Sequence, residues 1–68
     1  MFTISHYSNG RCVYHAQCTD EADAINLANQ IVSETFENGQ HNVFVYDLTE
    51  ETSVYESSFI VEDAEVNA

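Results

Sequence analysis

His6, Cys12, His15 and Cys18 bring metal-ligating and nucleophilic side chains together near the start of this 68-residue chain. Zinc needs such ligands to converge at about 2.0 to 2.3 Å in a tetrahedron. In an extended strand Cys12 and Cys18 share one face while His15 points to the other. Only His6 and His15 can approach, as diagonal neighbours across a hairpin, so neither a metal site nor a cofactor is expected. Six positions apart in one strand, the cysteines stand roughly 20 Å apart at about 3.3 Å per residue. A disulfide needs Cα atoms within about 7 Å, so these two cannot bridge each other. Free thiols fit a reducing cytoplasm.

The other chemistry-bearing residues are carboxylates. Twelve Asp and Glu stand against a single cation, Arg11, for a formal net charge of -11. Acid–base catalysis needs a pocket that drives two carboxyl pKa values apart, and a domain this small has little interior to enclose one; no enzymatic activity is expected. The acidic run Asp47-Leu48-Thr49-Glu50-Glu51 lacks the ligand alternation and glycine of an EF-hand loop. Phosphates are held by Lys and Arg, which argues against direct binding of nucleic acid or an anionic membrane. A basic protein surface is the partner that such charge attracts. The acids are also unevenly placed. Residues 1–19 contain none and hold Arg11 with two of the three histidines, whereas residues 20–68 hold all twelve.

The elements that must carry these groups are legible from turn and periodicity signals. Asn9-Gly10 accepts positive φ at both centres of a type I′ turn, so Phe2–Tyr7 and Cys12–Cys18 form a hairpin. A two-residue loop pairs Tyr7 with Cys12, His6 with Val13, Ser5 with Tyr14 and Ile4 with His15. The face with Phe2, Ile4 and Val13 is expected inward, leaving Tyr7 and Tyr14 together on the outer face. From 19 to 38 the pattern predicts a helix. Thr19 or Asp20 caps it, Asp20, Glu21 and Asp23 complement its dipole, and Asn38-Gly39 stops it. Ala24, Leu27, Ala28, Ile31, Val32 and Thr35 form its apolar stripe, with Ile25 and Phe36 at the margin. Strands follow at His41–Leu48 and Thr52–Val61.

The order β-β-α-β-β predicts an α+β domain over residues 1–61, a four-stranded antiparallel sheet with one helix on one face. Residues 62–68 are expected to form a frayed acidic tail. The two hairpins show no residues that align. One sheet face stays bare, and its aromatics, Tyr7 and Tyr14, suit dimerisation or partner docking. No stretch approaches the roughly 20 apolar residues of a membrane span. The N-terminus lacks a signal-peptide pattern, so a cytoplasmic protein is expected.

Asp20, Asp23, Glu34 and Glu37 fall on the helix exterior, and Glu50 and Glu51 on the second hairpin, as two acidic rows. Duplex DNA carries one charge per roughly 1.7 Å of axis, a density these rows approach. In size, acidity and α/β order the chain resembles the small phage inhibitors of bacterial defence, the anti-CRISPR and anti-restriction DNA mimics. That resemblance implies a non-enzymatic inhibitor of a nucleic-acid-binding complex, acting in the host cytoplasm. The alternative is a small assembly module using the bare sheet face, with acidity serving solubility.

Overall fold

Strands β1 (Phe2–Ser8) and β2 (Arg11–Cys18), helix α1 (Glu21–Ser33), and strands β3 (Gly39–Asp47) and β4 (Thr52–Val61) follow one another along the chain. The computed structural model describes residues 1–62; the expected frayed tail lies, beyond Glu62, outside the described residues. The strands form one antiparallel sheet in the order β2-β1-β3-β4, with α1 against one face. This is the β-β-α-β-β layout expected from the sequence.

Period-two alternation builds the core. Ile4, Val43 and Val45 are fully buried, and the small Ala24 and Ala28 let the helix approach them closely. Leu27, Ile31 and Val32 of the helix, Ala16 and Cys18 of β2, and Tyr55 and Phe59 of β4 pack around this centre. Burying each large aliphatic side chain contributes about 1.5 to 3 kcal/mol, a large share of the stability of so small a domain.

Two features depart from the sequence expectation. The first hairpin pairs Ser8 with Arg11 and Tyr7 with Cys12 as expected, but then His6 faces Tyr14, Ser5 faces His15 and Ile4 faces Ala16. Val13 is left unpaired as a β-bulge. A bulge shifts every later residue by one and so exchanges the two faces. The physical gain is plain: Ala16 and Cys18 enter the covered face and His15 leaves it. Val13, expected inward, is 55% exposed. Tyr14 takes the covered side opposite His6, so Tyr7 and Tyr14 do not share a face. Cys12 and Cys18 are free, as expected, and the shift places them on opposite faces as well.

The helix also stops earlier than expected, at Ser33 rather than Asn38. Asp20 is its N-cap, accepting from the Asp23 N–H at 3.3 Å. At the other end the Glu34 N–H is shared between the carbonyls of Gln30 and Ile31, and the Thr35 hydroxyl donates to the Ile31 carbonyl at 2.6 Å. The threonine hydroxyl, turned back on the last turn, takes the place at the Ile31 carbonyl that a continuing helix would give to the Thr35 N–H. Residues 34–38 are therefore a connection, and Phe36 within it is 81% exposed.

The turn of the first hairpin is bound to the start of β3. Asn9 and Gly10 have φ of 52° and 84°, as a type I′ turn requires. The Asn9 N–H donates to the Gln40 carbonyl at 2.8 Å, and its Oδ1 accepts from the Gln40 N–H at 3.0 Å. Gly39, at φ 125°, lies against the Asn9 side chain. The second hairpin turns differently. Asp47 Oδ1 accepts from the N–H groups of Thr49 and Glu50 at 2.9 and 3.2 Å, an Asx turn, and Glu51 closes it at φ 56°.

Candidate functional site

The sheet register decides which carboxylates meet. Phe2 pairs with Cys18 and with Asp47, and Asp47 pairs with Thr52, so these residues mark one end of the sheet. The helix start follows Cys18 directly, and the second turn follows Asp47. Asp20, Glu21, Asp23, Glu50 and Glu51, all exposed, therefore belong to one pole of the molecule. A helix of 13 residues rises about 20 Å at 1.5 Å per residue, which carries Glu34 to the opposite pole. There it joins Glu37 and Glu62.

The six candidate carboxylates thus divide. Asp20, Asp23, Glu50 and Glu51 come together, with Glu21 added, while Glu34 and Glu37 stand at the far end. They form two poles rather than two rows. Glu37 is not on the helix exterior, because the helix has ended before it. Gln30 Nε2 donates to Glu34 Oε2 at 3.4 Å, which steadies Glu34 along the last turn. An open hollow of about 430 Å³ lies beside the far pole, lined by Ser8, Arg11, Cys12 and Glu37 among others.

The uncovered sheet face has a different character. Tyr7 stacks on Phe44 with ring centroids 5.6 Å apart and planes 13° from parallel. Tyr46 and Ile60 are exposed on the same face. Among the described residues Glu56 is the only carboxylate on it. The alternation of β3, with Val43 and Val45 inward, places Phe44 and Tyr46 there.

The covered face holds an element with no sequence signal. His41 is fully buried, its ring 5.1 Å from that of His6 and stacked on Phe59 at 5.4 Å. His6 meets His41, not His15, because β1 lies between β2 and β3 and the bulge turns His15 outward. Burial holds the His6 imidazole below the usual histidine range, His41 pushes the same way, and Glu37 opposes both. No group of three or more His, Cys, Asp or Glu side chains able to hold a metal ion occurs among the described residues. No helix among them is long and apolar enough to cross a membrane.

The fold and surfaces define the chain as a small α+β domain with acidic poles and one uncovered, aromatic-bearing sheet face. Compared with protein-family models, curated proteins and solved structures, it matches none.

Proposed function

We propose that this chain is a non-enzymatic acidic binding protein that blocks a nucleic-acid-handling complex, of the CRISPR-effector or restriction-enzyme kind, by offering carboxylates to its basic groove. The observation that carries this reading is the gathering of Asp20, Glu21, Asp23, Glu50 and Glu51 at one pole from segments distant in sequence. A groove lined by Lys and Arg to hold phosphates is the complementary surface, and the net charge of -11 steers the encounter. A phage-encoded anti-defence protein acting in its host's cytoplasm would have this character.

The test begins with capture of the untagged chain's partner from a bacterial lysate at low salt, then compares two charge reversals. Glu50→Lys with Glu51→Lys should weaken binding on the order of a hundredfold, and Glu34→Lys with Glu37→Lys on the order of tenfold. Binding should also fall steeply between low and moderate salt. Both double variants capturing the partner at wild-type affinity while melting normally would overturn the mimicry reading.

The stacked Tyr7 and Phe44 favour a second reading, an assembly module or homodimer formed through the uncovered face. An apolar contact there is insensitive to moderate salt, so the same titration separates the two.

A further inference from the structure

His41 sits in a hydrogen-bond chain whose direction follows from chemistry alone. Its Nε2 lies 2.7 Å from the Glu37 backbone carbonyl oxygen, which only accepts, so Nε2 carries a proton. In the neutral ring Nδ1 is then an acceptor, and His6 Nε2, 3.0 Å away, donates to it. The chain runs from the His6 N–H to His41 and from the His41 N–H to the Glu37 carbonyl. It fastens β1, β3 and the 34–38 connection together, with Phe59 of β4 stacked on its middle ring.

Proton counting gives the consequence. One added proton is tolerated: His6 can take it at Nδ1 and still donate, or His41 can take it at Nδ1 and donate back to a His6 that has changed tautomer. Two added protons are not. They set N–H against N–H and place two like charges side by side in the covered face. We propose that the His6–His41–Glu37 chain is an acid-released clasp: the second protonation of the histidine pair drives the fully buried His41 ring out from between His6 and Glu37, and the loss of its bond to the Glu37 carbonyl frees the 34–38 connection, with Glu37 and the exposed Phe36, from the sheet.

The groups around the clasp set its direction. Glu37, on the connection, favours protonation of His6. From β2, Tyr14 faces His6, and Arg11 faces Ser8, the residue paired with His41. From β4, Phe59 and Ser57 carry no charge, and the helix stripe of Ala28, Ile31 and Val32 carries none. Burial and His41 together favour the neutral His6 in the folded state. The clasp's stability is therefore fully present above the ordinary histidine value of 6.5 and falls as pH drops below it.

Long-range proton–nitrogen NMR of the imidazoles in the full chain, from about pH 8 to about pH 5, tests this without any partner. At high pH both rings of the pair should show the Nε2–H tautomer. On acidification the pair should titrate in two coupled steps. The backbone amide chemical shifts of Thr35 to Asn38 should move toward unfolded-chain values with the second step only. His6→Gln keeps a donor to His41 and can turn its amide oxygen to accept from the protonated ring, so the connection should stay fastened at that pH. The clasp is overturned if His6 and His41 titrate independently, if the connection's amides ignore the second step, or if His6→Gln releases it at the wild-type pH.

Discussion

The two hairpins are built alike and end up in different surroundings. In each, the second strand opens with two residues, then an unpaired valine, then a tyrosine: Arg11-Cys12-Val13-Tyr14 and Thr52-Ser53-Val54-Tyr55. The first strands match as well, since Tyr7 pairs with Cys12 and Tyr46 with Ser53 at the edge of each bulge. The four tyrosines of the chain are thus two corresponding pairs. Alignable residues do exist between the hairpins, contrary to the sequence reading, and they are those at the bulges. Yet Val54 packs on the core while Val13 is exposed. Tyr55 donates to Asn29 Oδ1 of the helix at 2.8 Å, whereas Tyr14 stays 43% exposed. The register device is local; what it buries is decided by where the helix lies.

The largest expected effect concerns the joint between the hairpins. A Cβ at Gly39 would stand 2.5 Å from the Asn9 side chain at φ 125°, while one at Gly10, at φ 84°, would meet nothing within 4 Å. Both alanine substitutions force an unfavourable φ, costing about 1 to 2 kcal/mol, but only Gly39→Ala adds a collision. Denaturant unfolding should place Gly39→Ala at a loss on the order of 3 kcal/mol and Gly10→Ala at less than half of that. Equal losses would mean that the first hairpin is not seated on β3 through Asn9.

A deletion pair probes the bulge itself. Removing Val13 takes out the residue that has no partner, so Tyr14, Ala16 and Cys18 keep their face, and the cost should stay near 1 kcal/mol. Removing His15 leaves Val13 in place and throws Ala16 and Cys18 out of the covered face. The second deletion should cost about 2 kcal/mol more than the first. If the order is reversed, Val13 is not the extra residue and the correspondence with Val54 fails.

Much of this architecture was legible because it rests on short-range chemistry. Asn9-Gly10 announces its turn, Asp20 its cap, and the stripe from Ala24 to Val32 its face. What escaped depends on partners remote in sequence. Val13 reads as an ordinary inward residue until Ala16 and Cys18 are weighed against His15 for the place beside Ile4. The last turn from Thr35 to Asn38 looks helical until Glu37 is required at His41. The carboxylates were legible as a set but not as poles, because only the pairing of Phe2 with both Cys18 and Asp47 brings the helix start and the second turn to one end.

The smallest effect separates the paired tyrosines. Tyr55 lies in the row of Ile4, Val45 and Ala16, at the level the helix covers, and its hydroxyl has the Asn29 Oδ1 within reach. Tyr14 lies two residues along, in the row of His6 and Val43. Tyr55→Phe deletes one partly exposed hydrogen bond and leaves Asn29 able to bond water, so the loss should be about 0.5 to 1 kcal/mol. Tyr14→Phe should change stability by less than about 0.3 kcal/mol, within the range of surface substitutions. A thermal-melt comparison of the two checks whether the helix, rather than the strand sequence, distinguishes the hairpins. Matching losses would assign the difference to the hairpins themselves. A loss confined to Tyr55 would show that one helix laid across a nearly symmetric sheet is what makes its two halves unlike.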